Sequence, residues 1–343
     1  MKVSICVPAY ERPDTIAKLI ESVNEQSHED IELVISDDSQ SSSVEDVVRS
    51  TVGVPLSYAR NQPKLGFAGN LRQTLCMATG DIVVVLGDDD RLADAGAIAR
   101  YVEVALRYPS VGFSYSNLVQ FDESGNVSLI HRYFVRDQLF SAGADALEKV
   151  WLRSVQIAGM CFHMRGAEVA EVFPTFESLF PQVIAAGRVL SQRDGFGHSG
   201  LLVGTRVSGT QLGYQVASGA ERVSERASLG GAELLDIVGE LQSAEPGVMN
   251  TSVRATVERQ IVGGFVGSLP NLRLFCGRSD IRRMFSNYSA RTRLVWRMPQ
   301  AVLVAACVVV LPRSTIRLLV RVMKPAWLWW TRARMGVRPF LSS

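Results

Sequence analysis

Three short apolar runs limit what this chain can fold into: Val3-Ser4-Ile5-Cys6-Val7, Ile31-Glu32-Leu33-Val34-Ile35 and Ile82-Val83-Val84-Val85-Leu86. Each is followed within a few residues by a polar or acidic cluster. Runs this rich in β-branched side chains, with little alternation, mark strands buried on both faces, and so a mostly parallel sheet covered by helices. Between them, Ile16, Leu19, Ile20 and Val23 fall at i, i+3, i+4 and i+7 behind Asp14, a residue able to cap a helix. The first 120 residues or so therefore predict βαβ units, with strands near 3–8, 31–36, 55–60 and 81–86 and helices near 67–78 and 95–107. A strand near 111–115, a hairpin over 116–135, a helix near 141–153, a short strand at 157–163 and helices near 166–172 and 180–190 follow. Beyond about residue 215 the pattern is mostly helical.

In an open α/β sheet, ligands sit beyond the carboxyl ends of the strands. Those positions here are Pro8-Ala9-Tyr10, Asp37-Asp38 and Asp88-Asp89-Asp90. An aromatic ring beside two acidic clusters suits a nucleotide: the ring stacks on the base and one carboxylate accepts hydrogen bonds from base or ribose. Another carboxylate holds a divalent cation, Mn²⁺ or Mg²⁺, which takes the rest of its oxygen ligands from phosphates and water. The competing reading of an Asp pair after a strand is a helix cap or an Asx turn. Three adjacent acids repel one another unless water or a cation relieves them, which favours the metal-nucleotide reading.

At these residues the sequence resembles the inverting nucleotide-sugar glycosyltransferases of family 2, which have the GT-A fold. The resemblance rests on ICVPAYERPDTI, ELVISDDSQ, LGFAGNLRQTLCMATGD and VVVLGDDDRL, in that order over about the first 95 residues. It implies that Tyr10 lies by the nucleobase, that Asp38 with Asp37 beside it contacts base or ribose, and that Asp89 is the metal position. Asp88 would then contact ribose or the metal's water shell, and Asp90 would be the trailing acid that orients the loop, counted with Asp89 among the metal ligands. Gly87 stands where many members carry the first Asp of DxDD. Gly69-Asn70-Leu71-Arg72 stands where many carry Arg before Asn, so the positive charge at that place falls to Arg72 or to Lys64. The middle of the chain is loosely similar to the abequosyltransferase-like branch through Ile157-Ala158-Gly159-Met160 and Phe180-Pro181-Gln182-Val183.

Inverting transfer needs a base near the acceptor hydroxyl, on the face away from the leaving diphosphate. The acidic pair the family pattern places near Pro181-Gln182 is missing here. Glu177 is the first candidate base, because Phe176-Glu177-Ser178-Leu179 resembles the segment just before that pair; Asp194 is the second. His198, in a Gly-Phe-Gly-His stretch read as a loop, is a candidate third metal ligand, and Arg206 a candidate diphosphate contact.

Charge divides the chain. Of its 36 Lys and Arg, 12 lie after Asp280, where no Asp or Glu occurs, which leaves 24 against all 34 acids before that point. Residues 301–311 are unbroken apolar sequence but too short as helix for a roughly 30 Å hydrocarbon core. Arg313, Arg317, Arg321 and Lys324 then make a cationic stripe opposite Ile316, Leu319, Val320 and Met323, with Trp327, Trp329 and Trp330 beyond. That pattern predicts a tail lying on an anionic membrane surface, and argues against nucleic acid because the cations alternate with large aliphatics. Five scattered cysteines without a CxxC pair, and no signal-peptide pattern at the start, fit a cytoplasmic enzyme at the inner membrane face.

The expected organisation is a GT-A-like α/β domain over 1–215, a helical extension over 216–298 and a basic amphipathic tail over 299–343. The expected partners are a nucleotide-diphosphate-sugar donor, a surface glycan or lipid-linked acceptor, and anionic lipid. The alternatives are transfer to polyprenyl phosphate, whose charged oxygen needs no base, and a non-catalytic nucleotide- or glycan-binding scaffold. A nucleotidylyltransferase is disfavoured, since no Gly-rich, Arg-containing loop opens the chain.

Overall fold

The computed structural model describes residues 1–318 apart from 123–124, 175–177, 207–219, 276, 298 and 313, with the backbone alone for 220–231, 267–268, 270–275 and 299–301. Two bodies result, Met1–Ser208 and Gly209–Ser343.

The first body opens with β1 (Val3–Ala9), α1 (Pro13–Asn24), β2 (Ile31–Asp37), α2 (Ser43–Thr51), β3 (Leu56–Arg60), α3 (Gly66–Met77) and β4 (Ile82–Val85). β3, β2, β1 and β4 lie side by side and all parallel, as the apolar runs of β1, β2 and β4 predict. Every residue of β2 and β4 is buried, because helices cover both faces. Helix α1 starts on Pro13, whose fixed φ and missing N–H suit a first turn, and buries the predicted stripe Ile16, Leu19, Ile20 and Val23. Asp14 thus lies inside the first turn and not at the cap.

The rest of this body is β5 (Asp90–Leu92), α4 (Ala97–Arg107), β6 (Val111–Phe121), β7 (Val127–His131), β8 (Gln138–Phe140), α5 (Ala144–Lys149), a 3₁₀ turn (Trp151–Val155), β9 (Met160–Phe162), α6 (Gly166–Val172), α7 (Pro181–Gln192) and β10 (Asp194–Arg206). The sheet continues β4-β9-β6-β10-β5, with β7 on β6 and β8 on β10. β10 runs parallel to β6, whereas β9 is antiparallel to both its neighbours, so this half is mixed. Fully buried Trp151 ties the 3₁₀ turn to α7, its indole N–H donating to the Val183 carbonyl at 2.7 Å.

β10 is the main departure from the sequence reading, which leaves 194–198 as loop. Four glycines break its hydrophobic pattern. They are needed for close approach: a Cβ on Gly197 would strike the Phe134 ring, one on Gly204 the Phe121 ring, and one on Gly195 would stand 2.9 Å from Leu190.

The second body holds α8 (Ala220–Ala244), α9 (Thr251–Phe275), α10 (Arg278–Arg291), α11 (Leu294–Arg297) and α12 (Pro299–Val310). Its core includes Val238, Leu241, Val257 and Met284, with Phe265 stacked on Tyr288 at 3.7 Å. Buried Glu258 is satisfied by the Arg254 Nε–H at 2.6 Å and the Thr292 hydroxyl at 2.9 Å. Helix α12, expected as the start of a separate tail, packs on α9 and buries Ala305 and Val308. Most of the cationic stripe and all three tail tryptophans lie outside the described residues.

Candidate active site

Strand register builds the site. Ala9 stands opposite Asp37, and Cys6 opposite Val85. Three residues past Cys6 is Ala9 and three past Val85 is Asp88, so Ala9, Asp37 and Asp88 reach one level at the carboxyl edge of three adjacent parallel strands. Tyr10, Asp38 and Asp89 come next in each chain segment. The acids that the sequence scatters over fifty residues thus share one sheet edge.

Asp88 is buried, and both of its oxygens are held: Oδ2 accepts the Tyr10 backbone N–H at 3.0 Å and Oδ1 accepts Arg12 Nη1–H at 2.7 Å. The same Arg12 nitrogen lies 2.9 Å from Asp89 Oδ2. Burial raises the Asp88 carboxyl to about 6, Arg12 pulls it back, and the Asp89 charge adds to the rise. The Asp89 side chain keeps 24% of its surface exposed, the most accessible part of the cluster. Asp90 turns inward, its Oδ2 accepting the Gly87 N–H at 2.7 Å with Thr205 as a further partner. Its carboxyl is raised, by burial first and then by Asp89, so it shapes the loop and is not offered to solvent. This differs from its expected role as a metal ligand.

The other acidic strand end is occupied differently. Asp37 accepts from the Ser39 N–H at 2.8 Å and the Tyr58 hydroxyl at 2.7 Å. Asp38 accepts from Asn61 Nδ2–H at 2.9 Å and from the backbone N–H groups of Leu65 and Gly66 at 3.0 and 2.8 Å, fastening the entrance of α3. Asn70 is buried and donates to the Ala9 carbonyl at 3.0 Å, holding the end of β1. Arg72, two residues on and so roughly opposite on the helix, is exposed. Lys64 is the cation near the aromatic, its Nζ 5.7 Å from the centre of the Tyr10 ring, which is 38% exposed.

Two expected residues are not brought to this edge. Asp194 begins β10 opposite Val111 at the start of β6, the far end of parallel strands. There its oxygens accept the Ser110 hydroxyl at 2.6 Å and the Ala142 N–H at 2.8 Å, so it closes a loop and is no base. His198 is buried against the Tyr101 and Phe196 rings, with Nε2 3.2 Å from the Ser114 hydroxyl, and burial lowers its pKa to about 4. Thr205, the β10 residue paired with Asp90, pairs with Gln120 on β6 where His198 pairs with Ser116, four strand residues or roughly 13 Å away. His198 therefore belongs to the core. Glu177 lies outside the described residues.

The neighbourhood of Glu177 is nonetheless informative. Helix α7 begins at the site end of the sheet, since Gln182 in its first turn donates to the Val155 carbonyl at 3.3 Å. The next residue's carbonyl, on Gln156, accepts from Tyr115, which shares β9 residue Met160 with Val85 as pairing partner. Gln182 is buried, and its Oε1 has no partner among the described residues, at the position where the resemblance leads one to look for an acid. An amide there cannot take up a proton.

A cleft of about 260 Å³ opens beside Asp89, lined among others by Asp14, Lys18, Arg91, Thr205 and Arg206. Arg206 is exposed there. No cluster of three His, Cys, Asp or Glu side chains able to hold a metal exists among the described residues. The donor set still fits a hard divalent cation: Asp88 and Asp89 direct one oxygen each at a single positively charged nitrogen, and one or two carboxylates suffice when phosphates supply the remaining ligands.

Sequence reasoning misses Arg12. The available signal is that three consecutive acids need a counter-charge and that Arg12 follows Tyr10 by two residues at the neighbouring strand end.

A GT-A-like α/β domain with acidic strand ends is thus the class that fold and site define. Residues 4–170, just under half of the chain, match the profile of glycosyl transferase family 2. An abequosyltransferase of Salmonella typhimurium is 36% identical over 98 residues, which cover 27% of this chain and 29% of that protein. The Campylobacter jejuni GalNAc(5)-diNAcBac-PP-undecaprenol β-1,3-glucosyltransferase is 34% identical over 107 residues, 30% of this chain and 34% of that one. The chain thus matches about a third of the length of these relatives. The fold is shared with the mannosyltransferase PcManGT of Pyrobaculum calidifontis in complex with GDP-Man and Mn²⁺, at TM-score 0.54 and 17% identity over 98% of this chain and 85% of that chain. It is shared too with S. aureus TarS in complex with UDP-GlcNAc, at TM-score 0.53 and 15% identity over 90% of each chain.

Proposed function

We propose that this chain transfers a sugar, with inversion, from a nucleotide-diphosphate donor to a hydroxyl of a cell-surface polysaccharide or lipid-linked glycan. The observation that carries this reading is the shared level of Ala9, Asp37 and Asp88, with the Tyr10 ring and the Asp89 carboxylate as its open parts. Tyr10 stacks on the base with Lys64 nearby, and Asp38 with Asp37 shapes the pocket for base or ribose. Asp89, with Asp88 behind it, holds Mn²⁺ or Mg²⁺. When bound, that cation stabilises the charge growing on the leaving diphosphate. The relatives support the acceptor class, since one is named for an undecaprenol-linked glycan. Incubation with a panel of UDP-, GDP-, CDP- and dTDP-sugars and lipid-linked acceptors tests it. Release of nucleoside diphosphate that needs Mn²⁺ and disappears in Asp89→Ala is the expected result, and absence of turnover with every pair contradicts it.

Glu177 is the proposed base, five residues ahead of a helix turn at the site end of the sheet. Gln182 favours a second reading, in which the acceptor is polyprenyl phosphate and no base is required. Glu177→Gln separates the two: a loss of on the order of 10²-fold or more supports the hydroxyl acceptor, and unchanged turnover supports the phosphate.

Attachment to the anionic inner face of the cell membrane completes the proposal. Helix α12 turns Leu303, Ala306, Cys307 and Val310 outward, an apolar stripe whose two ends are 65% and 70% exposed. Among the described residues no helix is long and apolar enough to cross a membrane, so this stripe suits a helix lying in the membrane plane. Arg283 and Arg291 are paired with Asp280 and Asp236, and the sequence after Asp280 contains no Asp or Glu. Sedimentation with anionic vesicles, weakened by salt and by Leu303→Asp with Val310→Asp, is expected. Equal binding to neutral vesicles, or self-association through the stripe, contradicts it.

A further inference from the structure

The β1–α1 loop is pinned independently of the acids it faces. Glu11 adopts φ 53°, in the left-handed region uncommon for a residue other than glycine. Its N–H donates to the Ser39 hydroxyl at 2.8 Å and its Oε1 accepts the Gln40 N–H at 2.7 Å. A strained residue held on both sides by the β2 loop fixes where the next residue begins. That residue is Arg12, and one of its nitrogens bridges Asp88 Oδ1 and Asp89 Oδ2 at 2.7 and 2.9 Å. Asp88 is fixed from behind by the Tyr10 N–H, so the bridge is a built geometry and not a loose surface contact.

Resting on the reading that Asp89 carries the cation, we infer that Arg12 is the resident counter-charge of the Asp88–Asp89 pair. It holds off free divalent metal and gives way when metal arrives together with a diphosphate. A guanidinium and a divalent cation cannot share two carboxylate oxygens, because like charges would then stand within a few ångströms of each other. With metal alone, displaced Arg12 gives up both carboxylate contacts, and the metal brings no anion to replace them. With a diphosphate present, its planar fork of donors has phosphate oxygens to bind. Arg12 therefore couples the two ligands and acts as a positioning residue: it opposes metal alone and favours metal with nucleotide.

The test uses the full chain and free Mn²⁺ followed by electron paramagnetic resonance at fixed pH 8, with no nucleotide and then with UDP, GDP, CDP or dTDP. For the wild type, weak Mn²⁺ binding tightened about tenfold or more by one nucleotide is expected, a change worth about 1.4 kcal/mol. Arg12→Gln is expected to bind Mn²⁺ alone about tenfold more tightly and to lose most of the nucleotide enhancement. A residue that only braced the loop would weaken both. Mn²⁺ binding in Arg12→Gln that equals or falls below the wild type, with the nucleotide enhancement kept, overturns the inference alone. No Mn²⁺ binding by the wild type under any condition overturns it together with the reading of Asp89. Should Arg12→Gln melt early, Arg12→Lys carries the test: the charge remains, so affinity for Mn²⁺ alone stays within about threefold, while the nucleotide enhancement falls. An Arg12→Lys protein with full enhancement contradicts the inference.

Discussion

Asp37-Asp38 and Asp88-Asp89 look alike in the sequence, two acidic pairs each ending a buried parallel strand, yet the fold uses them in different ways. The first pair is satisfied by neutral donors: a serine N–H, a tyrosine hydroxyl, an asparagine amide and two backbone N–H groups at the entrance of α3. The second pair faces a cation, Arg12, and leaves one carboxylate partly open. Acids held by neutral donors are joints of the fold; acids held by a positive charge are exchangeable, since another cation can take that charge's place.

Substitutions separate the two uses. Asp89→Ala is expected to lower metal-dependent transfer on the order of 10³-fold while melting within about 2 °C of the wild type, because this partly exposed side chain has no donor but Arg12 among the described residues. Asp38→Ala reverses the pattern: it strands the Leu65 and Gly66 N–H groups and is expected to cost on the order of 3 kcal/mol in urea unfolding. Equal stability losses in the two variants would erase the distinction.

Acid titration sharpens the same contrast from a third place, the core between β6, β9 and β10. His163 and His198 share the Ser114 hydroxyl, and burial lowers them to about 3 and 4, with charged neighbours contributing less. Their folded pKa lies below the ordinary 6.5, so between about pH 6.5 and 4 the unfolded chain binds more protons than the folded one. Stability then falls as pH falls, by up to about 1.4 kcal/mol per pH unit for each imidazole. Asp88 works in the other direction: raised to about 6, it takes a proton in the folded state first and offsets part of the loss below pH 6. Asp90, raised by burial, works in the same direction as Asp88, so the imidazole share is read by difference: between pH 7 and pH 5 His198→Gln should lose less stability in urea unfolding, or gain more, than the wild type, and a pH dependence unaltered by that change removes His198 from the account. The smallest effect concerns the neighbouring cations. Lys64→Ala should weaken nucleotide binding about threefold through its place over Tyr10, and exposed Arg72→Ala should leave it unchanged, both read by titration calorimetry.

The parallel half of the sheet was legible because β1, β2 and β4 bury both faces and so carry apolar runs, broken only by buried Ser4 and Glu32, that end where the site begins. β10 was not, because its glycines serve contacts with Phe134, Phe121 and Leu190 made by residues distant in the chain, and they erase the strand pattern. The same misreading made a loop ligand of His198 and a base of Asp194, since nothing local says which end of a strand a residue occupies. Arg12 escaped notice because its partner Asp88 lies 76 residues away and is fixed only by the pairing of β1 with β4. Asp89 was identified through likeness to family 2, and the open carboxylate is consistent with that role.

The most direct test of the central claim is the melting temperature of the intact chain with UDP, GDP, CDP and dTDP, each with and without Mn²⁺, for the wild type and Asp89→Ala. A ligand that binds only the folded state raises it. The account predicts a rise with one nucleotide that requires Mn²⁺ and is lost in Asp89→Ala. A rise that is independent of the metal or survives that substitution, or no rise with any nucleotide, would contradict it.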